Sequence, residues 1–155
     1  MNELPTWVWY VVIPVIAIWL MSSFRRRSQD WYAMELNMRG IDLYKRGLRE
    51  EAQRVFEDAV ETYPNIAFLR VSLSKMLMDQ GRYSQAEDQL RKALQIASEP
   101  VTQRDALVNL AGIQYAQKHF TEAVELLEQA IEKHAPDLKN TVADQYKNAL
   151  QAMYT

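Results

Sequence analysis

Cysteine is absent from this chain of 155 residues, which excludes disulfides, cysteine-ligated zinc and thiol nucleophiles. Glycine and proline are scarce, at four and five residues, so little interrupts regular helix and an all-α fold is expected. The only histidines, His119 and His134, lie fifteen positions apart, outside the i, i+4 spacing of a helical metal site. No glycine-rich phosphate loop and no Ser/His/Asp arrangement is present, so no catalytic residue, metal or cofactor is expected. Net basic charge is also missing from most of the chain. Residues 25–49 carry seven Lys or Arg against three acids, whereas residues 50–155 carry eleven against sixteen. Nucleic-acid binding would need basic charge spread over the folded domain, and it is not expected.

Charge is lacking altogether between Glu3 and Arg25. The apolar run there is long enough to cross a hydrocarbon layer of about 30 Å as a helix. Trp7, Trp9 and Tyr10 near one end and Trp19 near the other resemble interfacial aromatic belts. Arg25, Arg26 and Arg27 come immediately after, and by the positive-inside rule they place the remainder of the chain on the cytoplasmic side, with the N-terminus outside. A cleaved signal peptide would need a basic leader and a small-x-small cleavage site, neither of which is there. The expectation is a single-pass anchor over residues 1–28, in a bacterial inner membrane or its equivalent.

What is present after the anchor is a repeat. Leu48 to Val60, Arg82 to Leu94 and His119 to Ile131 align so that Ala52, Ala86 and Ala123 fall in register, as do Ala59, Ala93 and Ala130. The steps are 34 and 37 residues for both sets. Small residues seven apart lie on one side of a helix and let a neighbour approach, while Phe56, Leu90 and Leu127 between them fill space. Gly47 and Gly81 precede the second helix of their units, and Pro64, Pro100 and Pro136 fall near the unit ends. The pattern resembles the tetratricopeptide repeat (TPR) family, over residues 33–136.

The resemblance implies paired helices stacked as an α-solenoid, in units of about 33–66, 67–100 and 104–136 within a domain spanning 29–136. Helices are predicted near 29–45, 49–62, 66–80, 83–97, 101–117 and 120–133, with Ser98 as an N-cap. Leu138, Val142, Tyr146, Leu150 and Met153 predict an amphipathic capping helix over 137–155. Family geometry implies a concave groove lined by Asn37, Ile41, Tyr44, Phe68, Val71, Lys75, Met78, Val108, Asn109 and Tyr115. Capture of a chaperone C-terminal carboxylate is not expected, because the corresponding positions hold Asn37, Ile41, Ser72, Asp105 and Asn109. The sequence therefore reads as a membrane-anchored TPR adaptor that binds protein partners in assembly or stabilisation of a membrane protein complex. A permanent accessory subunit and an organelle import-type receptor are the alternatives.

Overall fold

A computed structural model describes residues 6–134 and residue 151. Among residues 6–134 six helices succeed one another: α1 Thr6–Lys45, α2 Arg49–Thr62, α3 Ala67–Asp79, α4 Tyr83–Ile96, α5 Pro100–Ala116 and α6 Phe120–His134. No strand occurs among the described residues. Helices pair as α1 with α2, α3 with α4 and α5 with α6, and the first helices then lie side by side through α1 with α3 and α3 with α5. This is the all-α solenoid read from the repeat.

The recurring residues are the buried ones. Ala52, Ala86 and Ala123, Ala59, Ala93 and Ala130, and Phe56, Leu90 and Leu127 are all essentially removed from solvent. Opposite them, one position of each first helix carries a residue whose size answers its partner. Gly40 sits where an added Cβ would fall 2.6 Å from the Phe56 ring, and its register equivalents are Ser74 and Ala111. Ala111 packs with Leu127, while the buried Ser74 hydroxyl donates to the Val71 carbonyl at 2.7 Å. The largest knob thus meets the residue with no side chain.

Each first helix ends alike. Gly47 N–H donates to the Tyr44 carbonyl and Leu48 N–H to that of Leu43; Gly81 and Arg82 repeat this on Met78 and Leu77, and Lys118 and His119 on Tyr115 and Gln114. These paired bonds are the Schellman cap, whose C′ residue must take the left-handed conformation. Gly47 and Gly81 do so without cost, but Lys118 is forced to a φ of 66°. At the start of α5, Glu99 and not Ser98 is the N-cap, because Pro100 occupies the first helical position.

The single-pass anchor is corrected. Among the described residues no helix is long and apolar enough to cross a membrane. The apolar run forms no helix of its own: it is the first half of the 40-residue α1, whose second half carries Asp30, Glu35, Arg39 and Asp42. With the anchor fall the outside N-terminus, the cytoplasmic placement and the membrane as a partner, since all were read from it. The lipid-facing role expected of Trp7, Trp9, Tyr10 and Trp19 and the orienting role expected of Arg25, Arg26 and Arg27 rested on the same anchor. Tyr10 and Trp19 are exposed, as is Arg27; the side chains of Trp7, Trp9, Arg25 and Arg26 lie outside the description. Apart from Gln151, the capping helix expected over 137–155 also lies outside the described residues.

Candidate functional site

On the second half of α1 and on α3 and α5, the repeat steps put side chains at equivalent positions, called rows below. Asn37, Val71 and Val108 share one row, Ile41, Lys75 and Gly112 the next, and Tyr44, Met78 and Tyr115 the third. Rows form because helices of one repeat are superimposed on those of the next, so a shared register becomes a shared surface.

Within these rows the expected residues differ in availability. Val71 is buried in the main core and offers only packing. Val108 is half-buried against Ala111 and Leu127. Ile41 and Lys75 are exposed, whereas Phe68 and Met78 are half-buried. An ideal Cβ on Gly112 would meet the Met78 methyl at 3.5 Å, an ordinary contact, and Gly112 is itself exposed. Asn37 and Asn109 are half-buried, and the Asn37 Oδ1 and Asn109 Nδ2 atoms are shielded from solvent with no hydrogen-bond partner. Unmatched amide atoms of this kind are costly until something pairs with them.

The two tyrosines have separate surroundings. The Tyr44 hydroxyl donates to the Asp79 carboxylate, tying the end of α1 to the end of α3, and the Arg49 guanidinium lies 6.0 Å from the ring centroid. The hydrogen bond to Asp79, with burial and the nearby negative charge, raises the Tyr44 pKa above its ordinary value. Tyr115 is 42% exposed and leans on Phe120 at a centroid distance of 5.4 Å. Tyr44 therefore braces two repeats, while Tyr115 keeps a free surface.

A cavity of about 530 Å³ at the other end of the rows was not read from the sequence. Asp30, Met34, Ile66, Phe68, Ile96 and Glu99 are among its walls. Met34 and Phe68 are register equivalents, one step of 34 residues apart, and that register is the signal that could have found it. Among the described residues no group of His, Asp and Glu is placed to hold a metal ion. His119 instead sits 3.0 Å from the Gln114 side-chain oxygen in the turn before α6.

Residues 65–133 match the family model described as Tetratricopeptide repeat. No curated protein matches the chain. Among solved structures, the TPR2B domain of yeast Sti1 in its pHsp70 complex is similar at a TM-score of 0.69 and 20% identity, covering 77% of this chain and 96% of that one. The Yersinia enterocolitica type III secretion chaperone SycD, in complex with a peptide of the translocator YopD, reaches a TM-score of 0.65 at 18% identity, with coverages of 78% and 91%. The Thermus thermophilus TPR protein TTC0263 has a TM-score of 0.58 at 25% identity, with coverages of 68% and 52%.

Proposed function

With tetratricopeptide repeats over residues 65–133 as the premise, we propose that this chain is an adaptor that holds a segment of a protein partner on its concave face and makes or breaks no bond itself. One observation supports the reading: Ile41, Phe68, Met78 and Tyr115 on the three first helices are exposed or half-buried. Apolar area left open in register across three helices suits a helical or extended segment laid along it. Similar folds are found with partners bound, SycD with a YopD peptide and the Sti1 domain with pHsp70. Assembly or stabilisation of a protein complex is the role such a surface fits.

A permanent subunit is the second reading, and a separate observation favours it. Val11, Ile13, Val15, Ile16, Ile18, Leu20 and Phe24 of α1 are all exposed, and a helix apolar on every side is one that other matter surrounds. A stable complex would give it that surrounding.

Photo-crosslinking distinguishes a groove from a convex surface. A crosslinking residue at Met78 should capture partner when the full chain is expressed with its cellular partners, and one at Asp88 on the outer helix α4 should not. Equal capture at both positions, or capture at Asp88 alone, would refute the adaptor reading.

A further inference from the structure

Charged side chains on these three helices include Lys45 on α1, Lys75 and Asp79 on α3, and Asp105 on α5. Both acids are already engaged within the chain. Asp79 accepts the Tyr44 hydroxyl, and Asp105 is held by Arg104 at 2.7 Å. Lys45 and Lys75 are exposed, and among the described residues neither ammonium has an ion pair or a hydrogen bond; Lys75 is the one that stands in the middle row.

Its surroundings make that charge selective. Lys75 shares its row with Ile41 and Gly112, neither of which offers a polar side-chain atom. Asn37, the buried Val71 and Val108 stand in the row before it, and Tyr44, Met78 and Tyr115 in the row after. A partner laid over these rows would screen the ammonium from water, where one opposite charge is worth more than on an open surface. On the convex side α2 is net negative, with Glu50, Glu51, Glu57, Asp58 and Glu61 against Arg49 and Arg54, while on α4 Glu87 and Asp88 are paired with Arg91 and Lys92. An acidic segment is thereby repelled from α2 and drawn to the inner face.

We propose that the occupant of this groove is an internal segment of a protein partner in which one Asp or Glu is bracketed by apolar residues. The acid pairs with Lys75, and the apolar residues lie on the rows to either side. The proposal rests on the concave face being the partner-binding surface. A chain-terminal carboxylate is not the source of the charge, because it would need several converging donors and the row of Lys75 holds only one.

The test selects peptides from a random display library on the full chain and sorts them by sensitivity to Gly112→Arg. That substitution sets a long side chain beside Met78 at an exposed position where a Cβ makes only an ordinary contact, and a parental thermal unfolding midpoint shows that the fold is kept. Groove-dependent peptides should carry one acid between apolar residues, and converting it to the amide should weaken binding about tenfold, the scale of one partly desolvated ion pair. Lys75→Met should erase the difference between acid and amide while the thermal unfolding midpoint stays that of the parent. Lys75→Glu should shift the selection to Lys or Arg at that position, and amidating the peptide C-terminus should change nothing. Groove-dependent peptides with no acid preference, an acid preference that survives Lys75→Met, or dependence on a free C-terminal carboxylate would each overturn the proposal while leaving the groove in place. Peptides that bind but ignore Gly112→Arg would overturn the groove reading itself, and the proposal with it.

Discussion

The two halves of α1 share one backbone conformation and have opposite surroundings. Residues 10–24 are strongly apolar and exposed, with Ile18 at 67% and Trp19 at 65%. Residues 33–45 carry Glu35, Arg39, Asp42 and Lys45, yet Ala33 and Gly40 are buried there, and Leu36 and Leu43 pack on the core clusters. The more polar half is the better packed. Burial in this molecule tracks periodicity: positions 33, 36, 40 and 43 fall on one helical face that a neighbour can cover. Residues 10–24 are apolar at nearly every position, so no single face is selected for the repeats to meet.

The sharpest way to break this contrast is to remove a periodic residue. Leu90→Ala should lower the unfolding free energy by about 2–5 kcal/mol in a denaturant titration of the full chain, the usual cost of a cavity in a closed core. A loss below about 1 kcal/mol would mean that the repeats are not packed as described. Gly40→Ala should cost about 1–3 kcal/mol, since the new methyl group meets the Phe56 ring and forces it aside. Phe56→Leu on that background should recover part of the loss, as it copies the pairing of Ala111 with Leu127.

Smaller effects sharpen the comparison among the three repeats. Lys118→Gly should stabilise the chain by about 1 kcal/mol, because a left-handed backbone then costs nothing, as at Gly47 and Gly81. An unchanged thermal midpoint would place Lys118 outside that conformation. Tyr44 should titrate above its ordinary value near 10, and Asp79→Asn should bring it back toward that value in an ultraviolet titration. The sign is set by the raised folded-state pKa. The stabilising contribution is complete below the unfolded value and disappears as pH climbs through the folded one. Smallest of all, Ile18→Ala should leave the unfolding free energy within about 0.5 kcal/mol, as a surface change far from the repeats does. A loss comparable to Leu90→Ala would mean that the outer half of α1 is packed after all.

The solenoid was legible in the sequence because its signal is long-range. Alanines in register over two steps fix which helices pair and which faces meet. The continuity of α1 was missed for a local reason. The composition changes abruptly at Arg25, but a change in polarity does not end a helix, and no glycine or proline lies between Pro14 and Gly40 to do so. Side-chain commitments within the groove were less legible still. That Tyr44 commits its hydroxyl to Asp79, 35 residues on, depends on how α1 settles against α3, and neither residue type announces it. That Arg104 holds Asp105 while, among the described residues, the Lys75 ammonium stays unpaired is likewise a matter of placement.

Methionine methyl groups report on the concave surface most directly. Met34 borders the cavity, Met78 sits beside Gly112, and Met21 stands 70% exposed on the outer half of α1. In a methyl-labelled NMR titration of the full chain with a crosslink-identified partner segment, the Met34 and Met78 signals should shift together while that of Met21 holds still. Movement of Met21 with Met34 and Met78 unchanged would contradict a binding surface on the concave face.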